Sequence, residues 1–196
     1  MGKMDTKTGK ELLLSFLYSP GNGEAVNEPI LGRTKLVKMM FIFEKEISKD
    51  FFKEKDVSLP EFIPYLYGPY SAQVMDDLRI FIGIGYIVTT ETAIPMSRAE
   101  KKVQFELDME DDDIWGDFDD EEIEQSEVFQ LRYCLSDIGV RYVEERIWNN
   151  FNINQKSTIM RFKKQINNMP LDDLLAYVYK KYPEFAEESL IKGRYL

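Results

Sequence analysis

At 196 residues, with 44% hydrophobic and 13% aromatic side chains, the chain can bury one domain core, or one domain with an added subdomain. A formal net charge of −10 argues at first against nucleic acid, and the absence of histidine removes the commonest catalytic base and metal ligand. No apolar run reaches the ~18 residues of a membrane span, the N-terminus has no apolar signal core, and the lone Cys134 cannot close an internal disulfide, so a cytoplasmic protein with no membrane partner is expected.

Leu12, Leu13, Phe16 and Leu17 recur at the helical period and predict a first helix over residues 8–18, ended by the turn residues Ser19-Pro-Gly-Asn-Gly. A second helix is predicted over 33–49. Leu36, Val37, Met40, Phe43 and Ile47 share one face, and Lys35, Lys38, Lys45 and Lys49 share another. Arg33 falls at its start. Pro60 and Pro64 keep the next stretch irregular. Ser71 is a good N-cap for a third helix over 72–82, with Val74, Met75, Leu78 and Ile82 inward, and Gly83 and Gly85 end it.

Strands are predicted from Tyr86 to Thr92, over 102–107 and over 127–135, where Cys134 reads as a small buried side chain. Ser136 caps a further helix with Val140, Val143 and Ile147 inward. Two more helices follow. One spans about 154–167, with Ile159, Phe162 and Ile166 inward. The other spans 171–182, with Leu171, Leu174, Leu175 and Val178 inward.

The negative charge is concentrated. Residues 108–127 hold 12 acids and no Lys or Arg, which leaves 23 acids against 25 bases elsewhere. The net charge therefore says little about the rest of the surface. Asp111, Asp113, Gly116, Asp117, Asp119 and Glu122 fall at six positions of an EF-hand calcium loop. Trp115 stands where that loop needs an oxygen ligand, and strand-like flanks replace its helices, so no metal site is assigned. An extended, solvated acidic wing is the simpler reading, with Trp115 and Phe118 as anchors if it folds on a partner.

Gly32-Arg-Thr-Lys-Leu-Val-Lys-Met-Met-Phe-Ile-Phe, then Tyr67-Gly-Pro-Tyr-Ser, Asp77-Leu78 and Gly85-Tyr-Ile, together resemble the YwgA-like prokaryotic proteins. Tyr133-Cys-Leu-Ser-Asp-Ile-Gly139 is similar to the Leu-Thr-x-x-Gly that closes the wing of many winged-helix regulators. The Lys-Leu-x-Lys helix followed by Tyr-Gly-Pro is more distantly similar to the Panacea domain of SocA-type antitoxins. The likeness covers roughly residues 8–150. It implies a winged-helix-like core, and the Panacea likeness implies toxin neutralisation through protein contacts.

The expected fold is α+β. A winged-helix-like domain occupies residues 1–150 with an enlarged acidic wing at about 108–127, and a helical extension occupies 151–196. That extension packs on the core or pairs with a second copy as a homodimer. No catalytic set, cofactor loop or nucleophile elbow is legible, so a non-enzymatic regulatory module is expected. Two partners fit. Duplex DNA would meet Arg33, Lys35 and Lys38 through phosphates and Gln73 and Arg79 through base edges. A partner protein, in an antitoxin or adaptor role, would use Tyr67 and Tyr70, the third helix and the acidic wing. DNA stands slightly ahead on fold analogy. Asp76 and Asp77, read as exposed carboxylates on the third helix, count against it.

Overall fold

The computed structural model describes residues 9–23, 25–52, 57–93 and 129–196. The chain begins with α1 (Gly9–Tyr18), buried over most of its surface because leucines and aromatics fill every side of it. A loop leads to a two-residue strand, β1 (Ile30–Leu31), too short to show any alternation in the sequence. Next is α2 (Arg33–Glu46), buried without interruption from Lys35 to Phe43. The helix expected to reach residue 49 breaks at Ile47, where φ is −119°, and a single turn, α3 (Ser48–Phe51), resumes after it. Ser48 marks the break: its hydroxyl donates to the Glu44 carbonyl at 2.6 Å, a local bond that competes with the helix ladder.

The third long helix, α4 (Ala72–Gly83), starts as expected at Ser71, whose hydroxyl accepts from the Val74 amide. Val74, Met75 and Leu78 point inward. Phe81 takes the last buried position, and Ile82, expected inward, is exposed because the helix ends one residue later. Gly85, at φ +76°, turns the chain into β2 (Ile87–Ala93). The predicted strand at 102–107 and the acidic run lie outside the described residues. β3 (Phe129–Leu135) returns between the other two, giving an antiparallel sheet in the order β1-β3-β2. The register sets Ile30 opposite Tyr133, Ile87 opposite Leu135 and Ala93 opposite Phe129. Ile30, Ile87, Tyr133 and Leu135 are buried, while Phe129 and Leu131 lie exposed toward the far end.

Ser136 caps α5 (Asp137–Arg146) through the Gly139 amide. Gly139 abuts the Tyr86 backbone so closely that a Cβ there would collide with it. A capping box of Asn152 and Gln155 opens α6 (Ile153–Asn168), and Pro170 precedes α7 (Leu171–Lys181). These last two helices complete the core that α1 and α2 begin. The Phe162 ring lies 5.5 Å from both Phe16 and Phe43, and Leu174, Leu175, Val178 and Tyr179 are fully buried. Their apolar stripes are thus spent within the chain. A homodimer through this extension would have to use its outer faces.

Lys163 of α6 sits inside that core with no exposed surface. Its Nζ donates to the carbonyls of Leu17 at 3.1 Å, Ser19 at 2.6 Å and Glu28 at 2.6 Å. Three acceptors meet the three N–H bonds of an ammonium, so one side chain gathers the end of α1, the following turn and the approach to β1. Burial pushes its pKa down to about 7, opposed by the nearby Glu28 and Cys134.

Candidate functional site

The lysines of α2 are the first expectation the structure corrects. Lys35 is 8% exposed and Lys38 is 4% exposed. Lys35 Nζ donates to the carbonyls of Met169 at 2.8 Å and Asn167 at 3.3 Å, closing the otherwise orphaned C-terminal end of α6. Burial pushes its pKa below the ordinary lysine value. Lys38 Nζ donates to the Pro69 carbonyl at 3.0 Å. Neither ammonium lies on a solvated face that a duplex could approach. The cause is visible in the helix: Leu36, Val37 and Met39 to Phe43 are apolar on every side, so α2 runs through the core with no polar stripe. Lys45 and Lys49 are the exposed ones, and Lys45 is paired with Glu44 at 3.0 Å.

Lys38 joins α2 to the tyrosine turn. There the Gly68 amide donates to the Tyr65 carbonyl at 3.0 Å, and Ile63 and Tyr70 exchange backbone bonds across the turn. Gly68 sits at φ +86° with its α-carbon face against the Tyr179 ring of α7, where a Cβ would lie 2.5 Å from Cε1. Both the backbone angle and the contact call for glycine. Tyr67 is buried. Tyr65 is exposed and packs against the half-buried Tyr70 at a ring distance of 4.9 Å.

Between this turn and the start of α2 lies a small, shallow cleft, partly open to solvent. Arg33, Thr34, Val37, Lys38, Tyr67, Gly68, Pro69, Tyr70 and Met75 line it. It therefore brings together Arg33, Lys38, Tyr67 and Tyr70 among the residues singled out in the sequence. Lys35 is turned away to α6. Gln73 stands exposed in the first turn of α4, and Arg79 is exposed two turns further along.

Comparison with protein-family models, with curated proteins and with solved structures finds no match to this chain.

The outward face of α4 is mixed. Arg79 Nη1 pairs with Asp76 at 3.3 Å, both fully in solvent reach, so a nearby carboxylate offsets its charge. Ile80 is 51% exposed and Ile84, at the helix end, is 55% exposed. Asp77 corrects another expectation: it is buried against α1, 3.3 Å from Lys10 Nζ. Burial raises its pKa, and Lys10 opposes that. Asp77 thus adds no repulsive charge to the outward face, and Asp76 remains as the acid there. The sequence reading missed Lys163 and Asp77 as buried polar groups. The signal was present, since Ile159, Phe162, Lys163 and Ile166 share one helical stripe, as do Val74, Asp77, Leu78 and Phe81. Among the described residues, no helix is long and apolar enough to cross a membrane, and no cluster of three or more potential metal ligands occurs.

Proposed function

We propose that the protein is a non-catalytic protein-interaction module of antitoxin or adaptor type, built on a winged-helix-like core. It grips a partner protein with the tyrosine-turn cleft and the outward face of α4. The observation that carries this reading is the burial of Lys35 and Lys38 on backbone carbonyls. A duplex reader needs several solvated cations along one surface, since each phosphate contact and its released counterion supply affinity. Here the two central cations hold the fold instead, and Arg79 faces Asp76. The exposed Ile80 and Ile84 offer what a protein interface uses, apolar area ringed by polar side chains.

The element order supports the winged-helix part of the proposal. A helix, a short strand, two long helices and an antiparallel β2–β3 pair follow one another, with β3 central. The same order favours the second reading, duplex DNA bound through α4 with Gln73 and Arg79 at base edges. The two are separated by fluorescence anisotropy with a mixed duplex at low salt, together with recovery of a stoichiometric partner. The proposal expects no saturable duplex binding. It also expects a partner lost on Ile80→Glu in a variant that keeps its circular dichroism spectrum. Duplex binding that falls steeply with salt and disappears in Arg79→Glu would replace it with the DNA reading.

A further inference from the structure

Helix α6 differs from the rest of the fold in its charge. Lys156, Arg161, Lys163 and Lys164 are its charged residues, and it carries no acid. Each of the other α-helices described carries at least one. Lys163 is spent inside the core, so three cations remain for the outside. Arg161 and Lys164 are exposed, and Lys156 is half-buried. Among the described residues none of these three forms an ion pair, and Lys156 Nζ lies 5.8 Å from the centre of the Trp148 ring. On the same outward stripe stand Ile153, 81% exposed, and Met160, 39% exposed. A solvated helix face ordinarily interleaves acids with its bases and turns its large apolar side chains to the core. This face is cationic along its length and leaves two apolar side chains uncovered.

We infer that the outward face of α6 is the docking surface for the chain's own acidic run, residues 108–127. That run lies outside the described residues, and its composition and its place in the sequence are what match it to α6. It holds 12 acids and no Lys or Arg, and Trp115 and Phe118 stand among them. The rest of the chain has 23 acids against 25 bases, so the run is where the anionic charge is concentrated. Its carboxylates complement the three cations, and its aromatic side chains suit the uncovered Ile153 and Met160. Reach is no obstacle. Asp111 lies about 18 residues from both Ala93 and Phe129, at most about 60 Å of chain on either side. A folded chain of this length has a radius of gyration of only about 16 Å. Tethering sets the effective concentration of the run at the face on the order of a millimolar, above that of most free polyanions. The contact is independent of the α4 reading.

The test is photocrosslinking within the isolated full chain, with a benzophenone side chain at position 160 and the products mapped by mass spectrometry. Crosslinks from α6 to residues 108–127 of the same chain are expected, with a yield unchanged by about tenfold dilution. Arg161→Glu combined with Lys164→Glu should cut that yield about fivefold or more, because each reversal replaces an attraction by a repulsion. Both positions are exposed, and circular dichroism checks that the fold is kept. Lys180→Glu, on the exposed side of α7, is the control and should leave the yield unchanged. Sodium chloride at about 1 M, where the screening length is about 3 Å, should lower the yield with no substitution in the cationic face. A yield that falls in proportion to concentration would place the run on a second copy and overturn the intramolecular contact. Crosslinks confined to other segments, or a yield indifferent to both charge reversal and salt, would overturn the inference.

Discussion

Replacing Lys163 by methionine tests how this fold is tied together. Methionine keeps most of the apolar stem and removes the ammonium that Leu17, Ser19 and Glu28 share through their carbonyls. A buried acceptor stripped of its donor costs about 1–3 kcal/mol, so three set a gross loss of roughly 3–9 kcal/mol. The substitution also relieves the penalty of burying a charge, the same penalty that pushes the Lys163 pKa down to about 7. Subtracting that relief places the net destabilisation in the lower half of the gross range, about 3–5 kcal/mol. For a domain of 150–250 residues each kcal/mol moves Tm by about 2–4 °C, so a fall of roughly 10 °C is expected. Thermal unfolding followed by circular dichroism and calorimetry reads it. Lys164→Met, one residue along on the exposed face, is the control and should change stability by no more than about 0.5 kcal/mol. Equal Tm values for the two variants would refute the idea that Lys163 clamps α1, the loop and α6 together.

Lys35→Met and Lys38→Met should each cost about 1.5–3 kcal/mol, the loss of a hydrogen bond from a charged donor to a buried carbonyl. Lys49→Met should be near neutral, and urea unfolding with an unchanged m-value separates them. If Lys38→Met left stability intact, the reassignment of this residue from ligand contact to turn anchor would fail. Burial, with the Glu144 carboxylate accepting from its hydroxyl at 2.8 Å, pushes the Tyr18 pKa up to about 12. An unfolded tyrosine ionises near 10, so below that pH the stabilisation is complete, and it is lost as pH rises through 12. Tyr18→Phe should therefore flatten part of the alkaline fall in stability. Tyr182, also pushed up to about 12, and Tyr177 and Tyr195, both raised, keep the remainder.

Much of the fold was legible because caps and periodicity act locally. Ser71 and Ser136 cap the helices they were expected to cap, and Ile159, Phe162, Ile166, Leu174, Leu175 and Val178 are buried as their spacing requires. The lysines of α2 misled for a physical reason. A helical wheel places Lys35 and Lys38 on one side, but whether that side meets water depends on elements far along the chain. The end of α6 and the Pro69 turn arrive there, more than 130 and about 30 residues away, and turn the face inward. A long lysine reaches such carbonyls while its stem packs against apolar neighbours, so charge alone does not report exposure. β1 was invisible because two residues carry no period. Asn27 was equally hidden: its side chain bonds both the amide and the carbonyl of Leu135, standing in for a strand partner, at a φ of 63° that asparagine tolerates. Of the candidate site, Arg33, Lys38, Tyr67 and Tyr70 do converge on one cleft, since Lys38 fastens the turn that carries the tyrosines.

The central claim is that the outward face of α4 docks a protein. Site-specific photocrosslinking addresses it most directly, with a benzophenone side chain at position 80 and, as a control, at position 160 on the exposed side of α6. The account predicts that position 80 captures one protein in stoichiometric yield, that position 160 does not, and that Arg33→Gln reduces the capture. Crosslinks from position 80 to duplex DNA, or equal capture of proteins from both positions, would contradict it.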